Sequence, residues 1–265
     1  GVLSAQKFSS VLKGDESLTQ RPMNRVTNPL LRMNADIKTT DGKPPVSIDP
    51  VQSIKCIDHR VDIASAQIKS SIMLAGLYGE NAFRITTPQS RDHTEIMLSE
   101  FGCNISIESD SIKMDPGKPI SPKSIQIPGD ISSAAFFIVG SIISKNSQII
   151  IENVGLNPLR TGLIEILRMM GANIHITNIK KVNGEMVGNI HTESSTLNGI
   201  EIPKELVASS IDELPLIILA ASQANGKTSI RNAEELRVKE SDRILSMIKL
   251  GEIFSASASK VKPTL

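Results

Sequence analysis

Lys239, Glu240 and Arg243 stand within four positions of one another in the segment 236–243, so on a helix their head groups converge on one surface. Two cations beside a carboxyl can hold an anion next to a proton donor. The same trio also fits a solvated stripe of ion pairs, and its meaning depends on what else the chain carries. Arg21 immediately precedes Pro22, which keeps its backbone out of the α region and at a turn into the next helix. A planar guanidinium held there can grip a carboxylate or phosphate with two parallel bonds. Ser65, Ala66 and Gln67 open an expected helix after an expected strand. They offer hydroxyl and amide groups at its positive end, where phosphate or carboxylate is attracted, although Ser65 is equally an ordinary N-cap. Arg91 lies ahead of another helix start and is preferred to His93, which in that setting suits a structural hydrogen bond. Arg160 is a weaker candidate of the same kind. Asp212 sits where an apolar helix begins, either as an N-terminal stabiliser or as a functional base.

The bulk numbers narrow the chemistry. Lys plus Arg number 29 against 28 Asp plus Glu, a net charge of +1 that provides no field for a polyanion. One Tyr and no Trp remove the platforms on which single-stranded nucleic acid stacks. Nucleic acid is therefore a poor default partner and small molecules are favoured. Cys56 and Cys103 have neither metal-site spacing nor the density of a disulfide scaffold, which points to a reducing cytoplasm. No apolar run approaches the roughly 20 residues that span a bilayer, and no signal peptide is legible, so a soluble protein is expected. Walker loops, dinucleotide fingerprints, Gly-x-Ser-x-Gly elbows and His-Glu-x-x-His pairs do not occur. Neither a cofactor nor a metal is expected.

These side chains need elements to position them, and the elements recur. Amphipathic helices end at Asn34, Gly102 and Gly171, 68 and 69 residues apart. Each is closed by a residue that tolerates a left-handed cap, and an alternating strand follows. A fourth copy is expected to end at Gly251, 80 residues beyond Gly171, stretched by a polar insert around residues 183–195. Within each copy an extended start leads to a small-residue helix, a β-rich strand, a second helix and two strands. Helices are expected over 65–77, 132–140 and 209–221, with strands over 82–86, 148–154 and 227–232. An α/β protein of β-α-β-α-β-β units that share a core follows. The Pro and Gly cluster over 115–122 marks a domain border, giving domains 1–123 and 124–265. With 265 residues and 40% hydrophobic composition, two medium domains can each bury a core.

Taken together, these segments closely resemble the 3-phosphoshikimate 1-carboxyvinyltransferase family, also called the 5-enolpyruvylshikimate-3-phosphate synthases, the targets of glyphosate. The resemblance runs over most of the chain. Its most specific parts are residues 236–243, 14–23, 65–70 and 90–95, and the wording of the second and fourth looks like the bacterial variety termed class II. It implies an enolpyruvyl transferase fold of two domains, each of three β-α-β-α-β-β units, with substrates between them and about four of the six units present here. It implies transfer of the enolpyruvyl group of phosphoenolpyruvate to the 5-hydroxyl of shikimate 3-phosphate, releasing phosphate. The setting implied is a monomeric cytoplasmic enzyme of the shikimate pathway to chorismate and the aromatic amino acids. Both substrates are polyanions, which accords with the Arg and Lys candidates.

By this resemblance Ser65, Ala66 and Arg91 would hold shikimate 3-phosphate, together with Asp212 and Lys239, and Gln67 would reach both substrates. Arg21 and Arg243 would clamp phosphoenolpyruvate, with Lys239 between the two ligands. Asp212 would take the 5-hydroxyl proton and Glu240 would deliver one to the methylene carbon. The family's N-terminal Lys-Ser and Arg anchor, its Gly-Asn-x-Gly-Thr loop and its last repeat have no counterpart here. An internal fragment with little or no turnover of its own is expected. Two alternatives stand beside this reading. One is a UDP-N-acetylglucosamine 1-carboxyvinyltransferase, a family with a reactive loop Cys whose setting neither Cys56 nor Cys103 shares. The other is a non-catalytic anion-binding repeat protein.

Overall fold

The backbone carbonyls of Leu30, Leu98 and Leu167 accept the same type of bond, from the N–H groups of Ala35, Cys103 and Ala172 at 3.1, 2.9 and 2.9 Å. These distances come from a computed structural model, which describes residues 1–116, 121 and 123–231. The residue before each donor is Asn34, Gly102 or Gly171, with φ of 72, 92 and 98°, and its own N–H bonds three residues back. This pair of bonds is a Schellman stop, and all six flanking side chains named with it are buried. The closures expected at these three positions are present, and they divide the chain into copies of one unit.

The first copy contains a 3-10 turn (Val2–Ala5), β1 (Ser10–Leu12), α1 (Glu16–Thr19), α2 (Asn24–Arg32), β2 (Asp36–Thr40) and β3 (Lys43–Asp49). The second runs β4 (His59–Arg60), α3 (Ala66–Gly76), β5 (Phe83–Thr86), α4 (His93–Glu100), β6 (Asn104–Ile107) and β7 (Ser111–Asp115). That is the expected β-α-β-α-β-β order in full. The third contains α5 (Ile131–Ile143), β8 (Gln148–Gly155), α6 (Gly162–Met169), β9 (Ile174–Val182) and β10 (Glu185–Glu193). Its opening strand is reduced to a parallel bridge between Gly129 and Val154. Beyond it come α7 (Lys204–Ser209), α8 (Leu214–Ser222) and parallel bridges from Asn198 to Asn225 and Glu201 to Ser229.

The sheets have strand orders β1-β3-β2, β4-β5-β7-β6 and β8-β10-β9. In each, the last strand of a copy is an inner strand: β3 lies between β1 and β2, β7 between β5 and β6, and β10 between β8 and β9. A crossover through α3 makes β4 and β5 parallel, whereas short turns make the final pair antiparallel. The chain divides into two units, Gly1–Ser124 and Ile125–Leu265, each with its own apolar cluster. Met33, Ile72, Met73, Ile85 and Met114 are fully buried in the first. Ile138, Ile142, Leu163, Leu167 and Met170 are fully buried in the second. No helix among the described residues is long and apolar enough to cross a membrane.

Two expectations are corrected. Residues 183–195 are not a polar insert: Val182 and Glu185 pair across a two-residue turn at Asn183 and Gly184, with φ of 49 and 82°. Asn-Gly favours this left-handed pair of conformations, and β10 buries Val187, Ile190 and Thr192. The helix expected over 209–221 starts later: Ser209 ends α7, a turn follows, and only α8 from Leu214 is helical within that range. Pro215 lies in the first turn of α8, where its missing N–H is tolerated; inside a longer helix its ring would clash with the preceding turn.

Candidate active site

The start of α3 carries three of the candidates. Ser65 is its N-cap, with φ of −124°, and its hydroxyl accepts a bond from the Ile68 N–H at 3.4 Å. Ser65 and Ala66 are half-buried and Gln67 is exposed. One turn deeper, the Lys69 ammonium pairs with the Glu95 carboxylate, and the two side chains are only 3% and 2% exposed. Lys69 also donates to the carbonyls of Arg91 at 2.8 Å and Ser90 at 3.4 Å. The Ser70 and Thr94 hydroxyls meet at 2.6 Å. The loop that carries Arg91 into α4 is therefore fastened across the first turns of α3. Burial pushes the Glu95 carboxyl above its ordinary range, opposed by the Lys69 hydrogen bond and charge, and Glu95 Oε2 has no hydrogen-bond partner.

Sequence reasoning passed over Lys69 and Glu95, although a signal was present. Lys69 precedes Ile72 and Met73 by three and four residues, which sets it on the core-facing side of α3. A cation there needs a buried acid, and Glu95 precedes the buried Leu98 in the same way.

Arg21 is half-buried in the turn between α1 and α2, its N–H donating to the Leu18 carbonyl at 3.0 Å. The Met23 N–H is bonded to the Gly42 carbonyl at 2.7 Å, and α2 packs against α3. Pro22 thus acts as expected, holding Arg21 outside the following helix.

Asp212 belongs to the other unit. It is half-buried in the turn between α7 and α8, and the neighbouring Glu213 is buried at the start of α8. Glu213 accepts a hydrogen bond from the Ser132 hydroxyl at the start of α5. Arg160 donates to Ser132 Oγ at 2.6 Å and to Asp130 Oδ1 at 3.1 Å. Asp130 caps α5 by accepting from the Ser133 N–H at 2.8 Å. Burial acts to raise the Asp130 carboxyl, but the Ser133 bonds and the Arg160 charge hold it below its usual range. The turn before α6 and the first turns of α5 and α8 are tied together, with Asp212 beside the knot.

Copies two and three correspond closely here. Ser65 and Asp130 are the N-caps of α3 and α5, which aligns Gln67 with Ser132 and Lys69 with Ala134. Arg91 and Arg160 each stand two residues before the next helix. In copy three the Arg side chain reaches back to the cap, where an Asp neutralises it. In copy two the cap is the neutral Ser65. Lys239, Glu240 and Arg243 lie outside the described residues.

Among the described residues no group of three or more His, Cys, Asp or Glu is placed to hold a metal. The Cys56 thiol donates to the Gly76 carbonyl at 3.6 Å, and burial raises its pKa, unlike a reactive loop thiol. Over residues 1–251 the sequence matches the family described as EPSP synthase (3-phosphoshikimate 1-carboxyvinyltransferase). The chain belongs to the EPSP synthase family. It is 48% identical over 249 residues to the 3-phosphoshikimate 1-carboxyvinyltransferase of Ruthia magnifica subsp. Calyptogena magnifica, covering 93% of this chain and 57% of that protein. With the protein of the same name from Legionella pneumophila (strain Lens) the identity is 47%, over 94% of this chain and 58% of the relative. EPSP synthase from Acinetobacter baumannii superposes with a TM-score of 0.84 at 47% identity, covering 95% of this chain and 57% of that one. The enolpyruvyl transferase NikO from Streptomyces tendae, at 14% identity and a TM-score of 0.66 over 84% of this chain, shares the fold. The chain spans little more than half the length of the EPSP synthases it matches, and its α/β fold is theirs.

Proposed function

We propose that the chain forms part of a 3-phosphoshikimate 1-carboxyvinyltransferase and contributes binding groups for shikimate 3-phosphate and phosphoenolpyruvate. The observation that carries this reading is the fastening of the Arg91 loop to the Ser65-capped start of α3 in a member of the EPSP synthase family. A helix start with a neutral cap and a neighbouring guanidinium suits a phosphate dianion. Ser65, Ala66, Gln67 and Arg91 would bind shikimate 3-phosphate with Asp212 and Lys239, while Arg21, Gln67 and Arg243 would grip phosphoenolpyruvate. Asp212 would accept the 5-hydroxyl proton as that oxygen bonds to C2 of phosphoenolpyruvate, and Glu240 would supply a proton to the methylene carbon. Loss of phosphate from C2 and of a proton from the new methyl group then restores the double bond. No cofactor takes part. The setting is a cytoplasmic monomer in the shikimate pathway, which leads to chorismate and the aromatic amino acids, with glyphosate as an inhibitor of the parent enzyme.

Titration calorimetry with shikimate 3-phosphate tests the binding half. Saturable binding that weakens at least tenfold in Arg91→Ala, and less in Arg91→Lys, is expected, because Lys keeps the charge but not the planar fork. Binding indifferent to both changes, or equal affinity for inorganic phosphate, would remove the basis for the proposal.

A further inference from the structure

We infer that Lys69 is a positioning residue for the phosphate-binding end of α3, holding the backbone of Ser90 and Arg91 so that Arg91 has one place relative to Ser65 and Gln67. The inference deepens the proposed function and rests on it for the ligand. An ammonium has three protons, and here they face three acceptors: the Glu95 carboxylate and the carbonyls of Arg91 and Ser90. Helix packing alone does not call for such a group. A buried ion pair is commonly matched or bettered in stability by apolar side chains of similar volume, and copy three has Ala134 where copy two has Lys69. What an apolar pair cannot do is bond the two loop carbonyls. In copy three the corresponding loop is held by its own guanidinium, through Arg160 to Asp130 and Ser132. In copy two the Lys69 clamp holds the loop by its backbone carbonyls. Glu95 pairs with the same ammonium, and the Ser70 to Thr94 bond joins the same two helices one residue later on α3 and one residue earlier on α4.

The test compares the unaltered chain with Lys69→Met and with the double variant Lys69→Met/Glu95→Leu. Three readouts are used: thermal unfolding, amide exchange over residues 90–92, and calorimetry with shikimate 3-phosphate. Lys69→Met is expected to unfold at markedly lower temperature, because it strands a buried carboxylate. The double variant is expected to recover most of that loss while exchanging residues 90–92 faster and binding shikimate 3-phosphate at least tenfold more weakly. A stable double variant with unchanged exchange, or with unchanged affinity, overturns the inference and leaves the pair a packing device. If the unaltered chain binds no shikimate 3-phosphate, the proposed function falls. The exchange measurement then decides the clamp by itself: faster exchange supports it and unchanged exchange overturns it.

Discussion

His59 lies in the interior of the first unit, 3% exposed, with its Nε2 unpartnered. Burial and the Arg32 charge push its pKa from 6.5 to about 4, opposed by Asp58. Between these two values the unfolded chain binds a proton that the folded chain does not, so stability falls as pH drops from 6.5 toward 4. The loss between pH 7 and pH 5 is expected to be about 1–2 kcal/mol. Urea unfolding at the two pH values, alongside His59→Gln, checks it; an equal pH response in both proteins would show that another group is responsible. Arg21, Ser65 and Arg91 were legible in the sequence because a Pro or a helix cap sets their backbone locally. The inward placement of Lys69 and Glu95 was legible from their spacing to apolar residues, but their pairing, like that of Ser132 with Glu213, was not, because each partner arrives on a different helix.

The three Schellman stops depend on φ values that an L side chain adopts at a cost. Around Gly102 an added Cβ meets nothing within 4 Å, and φ is 92°, so Gly102→Ala isolates the backbone term. It is expected to destabilise by about 1 kcal/mol, while Asn34→Gly, which relieves the same conformation, stabilises by up to about 1 kcal/mol. Urea midpoints measure both, and a neutral Gly102→Ala would show that the stop relaxes without penalty. The hairpin at Asn183 and Gly184 belongs to the same class of local signal, and its dipeptide could have identified β10. Pro215 could likewise have moved the start of α8 from Ser209 to Leu214.

Two separate apolar clusters imply that a cavity in one unit acts first on that unit. Tyr78, the single tyrosine in a chain without tryptophan, lies in the first unit and reports on it alone. Ile72→Ala removes a fully buried side chain there and is expected to cost about 2–5 kcal/mol, advancing the fluorescence transition. Ile138→Ala, equally buried in the second unit, is expected to reduce helical circular dichroism earlier while leaving the Tyr78 transition in place. One shared transition moved equally by both variants would contradict this. The sequence by itself determined the repeat, its helix stops, the placement of Arg21 and Arg91 before helices, and the family resemblance. All of these rest on backbone preferences and side-chain spacing within a few residues. Only the tertiary structure decided that the last strand of each copy sits centrally, that Lys69 finds Glu95 and two loop carbonyls, and that Arg160 closes on Asp130 and Ser132. Desolvation and ion pairing depend on atoms brought together from distant segments, and no local pattern carries that distance.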